Sequence, residues 1–403
     1  MKIAFIVGMY PTPFFINNQI VGLINKGHNV DIYAFKEIFI DISGSDLEKY
    51  NLDDYLTYFA IPVNKFLRIL KAVFLFITNL HKGPLKLINA LNFFKYGKNT
   101  INLNTFYYVL PFLNSNYDIL HCHFGPNGIV GSLLKEIGIK GKLVTTFYGY
   151  DLSSYITLNG TNVYKLLFKN CDLFFPICKY FRDKLIEFGC NPNKIKVNYI
   201  NIDCNRYKFK KRIFHSGETL EILTVAVFEG RKGYEYSLKA IAKLVEMNKD
   251  IRYTIAGDGE NKQKIMQLID DLNIKNYINY VGRVNQKELI KLYDQAHVFL
   301  LPSITADGND QEGTPTVILE AQATGLPVIS TNHSGIPEII LDNESGFIVP
   351  EKDVFAITEK LNFFIDNSDA LEIMGYKGRE FIKQKFDMQE SNNKLENAYK
   401  DLL

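Results

Sequence analysis

The strongest constraint on this chain is an alternation that runs along it twice. Short runs dense in Ile, Val, Leu and Phe alternate with longer segments whose apolar residues recur at helical spacing. In the first half, Lys2–Val7, Val30–Phe35, Ile119–His123, Leu143–Phe147, Leu173–Ile177 and Ile195–Ile200 read as strands. Asn17–Lys26, Gly128–Glu136 and Tyr180–Phe188 read as helices between them, with Gly27 and Gly189 as stops. In the second half the strands are Ile222–Val227, Tyr253–Ala256, Ile278–Val281, Val298–Pro302 and Val328–Ser330, with helices such as Gln286–Gln295 between them. Strands that are apolar on both faces belong to parallel sheets covered by helices on both sides. Two such series predict two doubly wound, Rossmann-like α/β domains.

The 403 residues agree with that count, because a single core stops growing at roughly 250–300 residues. The seam falls at 204–217, CNRYKFKKRIFHSG, which is polar, basic and without an apolar period. The expected domains are therefore 1–203 and 218–386. A last helical segment, 387–403, is expected to pack back towards the N-terminal domain. Hydrophobic residues at 47% and charged residues at 22% exclude a disordered chain. A net charge of +2 gives no reason to expect nucleic acid as a partner. The five cysteines are odd in number and form no C-x-x-C pair, which fits a reducing cytoplasm. The opening MKIAFIVGMY lacks a small-residue cleavage site and reads as a buried strand, not a signal peptide.

The near-neutral total conceals a division. Residues 1–200 carry 21 Lys/Arg against 13 Asp/Glu, a balance of +8, and residues 201–403 carry 25 against 31, a balance of −6. From Lys65 to Tyr117 there is no acidic residue. Arg68, Lys71, Lys82 and Lys86 are interleaved there with Phe66, Leu67, Phe74, Leu75 and Phe76. The run Phe66–Leu80 is shorter than the roughly 20 residues of a membrane-spanning helix. A basic-flanked apolar helix suits the surface of an anionic membrane, and the alternative is a core helix with solvated lysines.

The segment richest in chemistry is Leu300–Glu338, LLPSITADGNDQEGTPTVILEAQATGLPVISTNHSGIPE. Thr314 suits a helix cap, Pro315 the first helical position and Gly325 the stop. The helix then starts at the carboxyl edge of a parallel sheet, where its free N–H groups, preceded by Gly313, would cradle a phosphate. Glu312 stands before that helix and Glu320 within it. Nearly two turns separate them, so each is expected to touch a different part of a long ligand. The alternative is a capping acid and a solvated one. His121 and His123 share a face of one strand, but Cys122 points away from them, so no metal site is expected. A G-x-G-x-x-G turn is missing after the first strand, which reads VGMYPTP, and this argues against a nicotinamide enzyme.

Glu312, seven residues, Glu320, then Gly325-Leu-Pro-Val and His333-Ser-Gly-Ile-Pro-Glu338 closely resemble the family 4 retaining glycosyltransferases. Further matches are Asp118-Ile-Leu-His-Cys-His-Phe-Gly-Pro, Thr145-Thr-Phe-Tyr-Gly-Tyr-Asp151, Arg231-Lys-Gly233, Ala256-Gly-Asp-Gly259 and Val281-Gly-Arg-Val284. The wording is most similar to the bacterial exopolysaccharide branch, of colanic acid and amylovoran type. The resemblance implies the GT-B fold, two Rossmann-like domains facing across a cleft. The first domain would present the acceptor and the second would bind the nucleotide sugar.

At matching positions the resemblance implies specific roles. Glu320 would bond the donor's ribose, Glu312 the hydroxyls of its sugar, and the N–H groups of Gly313 and Thr314 the sugar and diphosphate. Lys232 would neutralise the leaving diphosphate without a metal, with Arg231 beside it. Gly8 would let the backbone approach the phosphates, and Gly282, Val284 and Ser303 would lie near the nucleobase and ribose. His123, Tyr148 and Asp151 would make acceptor or sugar contacts, with Asp151 joining Glu312 and Lys232 as a catalytic candidate. Two positions depart from the family pattern. Val227 stands where an Arg is usual, and Tyr148 stands where a His is usual. Tyrosine is no base near neutral pH, and packing is the alternative role for Tyr148.

The implied activity is a retaining, metal-independent glycosyltransferase with no cofactor. It would move a hexosyl group from a nucleotide sugar, most simply a UDP-sugar, to a lipid-linked or polysaccharide acceptor in cell-surface polysaccharide synthesis. Its expected place is cytoplasmic, peripheral on the inner face of the cell membrane. The alternatives are a GT-B nucleotide-sugar epimerase or phosphorylase, and a non-catalytic membrane-associated assembly partner.

Overall fold

A computed structural model describes residues 1–38, 50–215 and 217–403. Ser216, near the end of the expected linker, lies outside the described residues. The first-half strands are β1 (Lys2–Tyr10), β2 (Asn29–Glu37), β3 (Leu56–Tyr58), β4 (Ile119–His123), β5 (Lys142–Phe147) and β6 (Leu173–Pro176). The second-half strands are β7 (Leu220–Val225), β8 (Ile251–Ala256), β9 (Ile278–Gly282), β10 (Val298–Leu301), β11 (Val328–Thr331) and β12 (Gly346–Val349). They form two six-stranded sheets, β3-β2-β1-β4-β5-β6 and β12-β11-β10-β7-β8-β9. All pairings within them are parallel. Counted within each half, both sheets have the order 3-2-1-4-5-6. The order reverses between β1 and β4 and between β7 and β10, and ligands bind beyond the carboxyl ends of the strands at such points.

The structure corrects several local readings. β1 continues to Tyr10, which puts Gly8 inside the strand instead of after it. Ile195–Ile200 is not a strand. It donates the Lys196 and Asn198 N–H groups to Phe174 and Pro176 beside β6, but the ladder stops at one bridge, Phe174–Ile195. β3 and β12, only three and four residues long, escaped the sequence pattern. Helix Gln286–Gln295 has the bounds read from the sequence, because Asn285 and Glu288 close a reciprocal capping box at its start.

The chain crosses between the halves twice. After the first crossing, buried Arg212 donates to the carbonyls of Asp294, Ala296 and Thr324, so this basic segment is bound to the second half. The second crossing follows helix Asp369–Lys385. There Ile202 N–H donates to the Phe386 carbonyl and Met388 N–H to the Ile202 carbonyl, each at 3.0 Å. Helix Met388–Lys400 then packs on Phe14–Asn25 of the first half. Lys26 holds Glu396 at 2.8 Å, and Asn392 donates to the Asn18 carbonyl at 3.0 Å. Tyr399 reaches the His121 ring at 2.6 Å.

Helix Lys65–Asn79 is not a core helix. Asn64 caps it, and Ala72 is its buried residue. Phe66, Leu67, Ile69, Leu70, Val73, Phe74 and Ile77 are all more than half exposed. Arg68 departs from the reading as a surface cation, since its guanidinium donates to the Pro62 and Asn102 carbonyls at 2.7 and 3.1 Å. No helix among the described residues is long and apolar enough to cross a membrane.

Candidate active site

A cavity of about 620 Å³ opens at the carboxyl edge of the second sheet. Its lining comes from the segments that leave β7, β8 and β9, including Val227, Asp258, Arg283 and Val284, and from Lys232, Glu312 and Thr314–Val317. Phe15 closes it from the first half. A smaller cavity of about 170 Å³ shares Phe15 and Thr316 with it and reaches Glu320. Helix Thr316–Ala323 points its N-terminus at both. The helix starts later than the sequence suggested, with Pro315 as its N-cap. Thr314 therefore caps nothing, and its buried hydroxyl has no hydrogen-bond partner among the described residues.

The cluster around Glu312 is charged and tightly paired. Lys232 donates to the Glu312 carboxylate, and Arg231 Nε lies 3.6 Å from it. Burial alone would raise the Glu312 pKa, but the charges of Lys232 and Arg231 outweigh it and the net shift is downward. Glu312 is thus an ionised carboxylate at ordinary pH. Arg231 is engaged elsewhere as well, with Asp310 at 2.6 Å and with Glu229. Lys232 lines the cavity, whereas Arg231 does not. Glu320 has the opposite environment. Burial raises its pKa, and hydrogen bonds from Tyr293, at 2.9 Å, Thr316 and Tyr207 only partly offset the rise.

Of the other donor-side candidates, Val284 lines the cavity, and Gly282 ends β9 with φ +73°, a conformation that suits glycine. Ser303 is fully buried with its hydroxyl unpartnered among the described residues. Gly8, within β1, does not line this cavity. Gly313 sits where the halves meet. A Cβ there would collide with the Tyr148 carbonyl oxygen, so only glycine admits this approach.

The first-half wall is built of neutral or locked groups. His121 Nε2 lies 2.7 Å from the Thr146 hydroxyl, and its pKa is lowered to about 3 by burial. His123 Nδ1 meets the Tyr148 hydroxyl at 2.6 Å, and burial followed by the neighbouring His121 keeps its ring neutral. Its buried Nε2 has no partner among the described residues. Tyr148 packs on Phe15 and Phe124, with ring centroids 4.9 and 4.6 Å away. Asp151, expected as an acceptor or sugar contact, is engaged with the backbone. It is fully buried and accepts the N–H groups of Tyr148, Gly149 and Gly125 at 2.9–3.3 Å. Burial pushes its pKa up to about 6 against these bonds. It fixes the turn that faces Gly313.

Three further residues take part, of which sequence reasoning placed His333 and Glu338 in one motif and missed Glu351. Glu338 reaches across the cleft and accepts the N–H groups of Lys179 and Tyr180, at 3.0 and 3.1 Å, together with the Tyr199 hydroxyl. His333 and Glu351 stand behind Glu312, whose N–H donates to His333 Nε2 at 3.0 Å. The His-Ser-Gly turn was visible in the sequence, but nothing marked Glu351 as its partner.

Two parallel sheets of one order, closing on a cleft with an ion-paired carboxylate and a helix N-terminus on one wall, define a GT-B fold. The family described as "Glycosyltransferase Family 4" matches residues 15–206, and "Glycosyl transferases group 1" matches residues 205–381. WcaL of Salmonella typhimurium, described as a colanic acid biosynthesis glycosyltransferase, is 33% identical over 98% of both chains. The amylovoran biosynthesis glycosyltransferase AmsK of Erwinia amylovora is 32% identical over 89% of both. The crystal structure of Anabaena Alr3699/HepE in complex with UDP superposes with a TM-score of 0.72 over the whole of both chains, at 15% identity. The chain belongs to the family 4 glycosyltransferases, in the company of bacterial exopolysaccharide enzymes.

Proposed function

We propose that this glycosyltransferase moves a hexosyl group from a UDP-sugar to a lipid-linked or polysaccharide acceptor, with retention of anomeric configuration and without a metal ion. The observation that carries the reading is Lys232, held against ionised Glu312 at the mouth of helix Thr316–Ala323. The cavity there is of nucleotide size. A UDP complex is described for HepE, and this supports the choice of nucleotide. The nucleoside would lie along Arg283 and Val284, with the ribose towards Glu320. Lys232 and the helix N–H groups would stabilise the leaving diphosphate. The acceptor oxygen would bond to the anomeric carbon as the bond to the diphosphate breaks, and the departing phosphate oxygen would take the acceptor's proton on the same face. Neutral His123 and Tyr148 bound the sugar side and need no part in proton transfer.

The exposed apolar helix Lys65–Asn79, with Lys71 on it and Lys82 just after it, supports a resting place on the anionic inner face of the membrane, where a lipid-linked acceptor lies. The test is a panel of UDP- and GDP-sugars with a membrane extract as acceptor, read by nucleoside diphosphate release and by NMR of the new anomeric centre. UDP release with an inverted product removes the retaining assignment. Release only from GDP-sugars removes the donor assignment. Isomerised donor, or sugar 1-phosphate in place of a glycoside, removes the transfer itself.

A further inference from the structure

We infer that His333 and Glu351 are positioning residues for Glu312, acting through a hydrogen-bond relay that joins the carboxyl ends of three neighbouring strands. The inference deepens the donor-site reading and rests on it for the role of Glu312. β10, β11 and β12 are adjacent in the second sheet, and the segments that leave them carry the relay. Thr305 N–H donates to Glu351 Oε2 at 2.9 Å. Glu351 Oε1 meets His333 Nδ1 at 2.6 Å. Glu312 N–H donates to His333 Nε2 at 3.0 Å.

The chemistry fixes the direction of each bond. A backbone N–H can only donate, so Nε2 must present its lone pair and the ring proton must sit on Nδ1. The carboxylate of Glu351 receives that proton's hydrogen bond, which selects the same tautomer from the other side. A flipped ring would set carbon atoms against both partners. His333 is only 1% exposed, so water does not replace either bond.

The relay matters because Glu312 lies outside regular structure, between Asp310 and the helix that begins at Thr316. Three contacts hold it. Its carboxylate meets Lys232 and Arg231, the following Gly313 abuts the Tyr148 carbonyl, and its own N–H rests on His333. Without the third contact the peptide before Glu312 can rotate, and the carboxylate swings with it. A misplaced catalytic group lowers turnover more than substrate binding.

Rescue separates positioning from simple space filling. Glutamine at 333 can place an amide oxygen near the position of Nε2, asparagine reaches only the position of Nδ1, and phenylalanine fills the space with no acceptor. The experiment measures hydrogen exchange of the Glu312 amide, UDP binding by calorimetry, and turnover of the donor that the sugar panel selects. His333→Asn and His333→Phe are expected to lose about tenfold in amide protection and in kcat, with UDP affinity within about threefold, while His333→Gln stays near wild type. Full protection and turnover in His333→Phe would overturn the relay. If His333→Asn fails to fold, Glu351→Gln against Glu351→Leu makes the same comparison, since the amide still accepts from Nδ1–H. Equal activity in that pair would also overturn the relay. Glu312→Gln serves as the control. Unchanged turnover in this variant, with exchange at 312 still dependent on His333, would sink the donor-site reading and leave the relay standing.

Discussion

The two sheets share one strand order, yet their carboxyl edges are opposites. The first carries His121, His123, Tyr148 and Asp151, all buried, with His121 bonded to Thr146 and Tyr399, His123 to Tyr148, and Asp151 to the backbone. The second carries Lys232, Arg231, Asp310, Glu312, His333 and Glu351 in paired, partly open contacts. The bulk charges run the other way, because the basic half presents the neutral wall and the acidic half holds the cations of the cleft. Net charge therefore does not locate a ligand in this fold. What distinguishes the two edges is whether a charged group is locked to backbone or paired with a partner that a ligand can replace.

Lys232→Ala should break the second edge without touching the first. Turnover is expected to fall by about 10²–10³-fold, the scale for losing one stabiliser of developing charge. A variant that melts early but turns over normally would erase the contrast. Asp151→Ala should do the reverse, costing about 2–3 kcal/mol of stability by denaturant titration as three N–H groups lose their acceptor. A pH series sharpens this. The folded pKa of about 6 exceeds the ordinary 3.8, so the folded state binds the proton more tightly. Stability should then decline as pH rises through that window, and Asp151→Asn should flatten the slope. Glu320→Ala is expected to weaken UDP binding about tenfold by calorimetry while transfer at saturating donor changes less. The smallest effect belongs to the outer face of the first half. Lys71→Gln and Lys82→Gln should each cost about 1 kcal/mol of binding to anionic vesicles, and unchanged sedimentation would remove the membrane assignment.

The strands were legible wherever burial on both faces forced a continuous apolar run, as in β4, β7 and β10. They failed at one edge of each sheet and beside β6. β3 and β12 are too short to carry a pattern, and Ile195–Ile200 has the composition of a strand but lies at an edge that pairs only once. Glu312, Glu320 and Lys232 could be named from the sequence because their motif is local. Asp151 was named from the family resemblance, and no pattern reveals that its oxygens accept from the backbone. Glu351 could not be found at all. It lies 18 residues from His333, across a strand, and only the stacking of strand ends brings them together.

The two crossings between the halves are bonded to each other, Ile202 against Phe386 and Met388. A body hung on one strand can swivel about every axis. A body hung on two strands that are stitched side by side behaves as a leaf on a pin, with one easy rotation and two stiff ones. The second half is in this sense an insertion between residue 202 and residue 387 of the first. If the cleft opens and frees Glu338 from the amides of Lys179 and Tyr180, that pin restricts the path by which Gly313 leaves Tyr148 and returns to it.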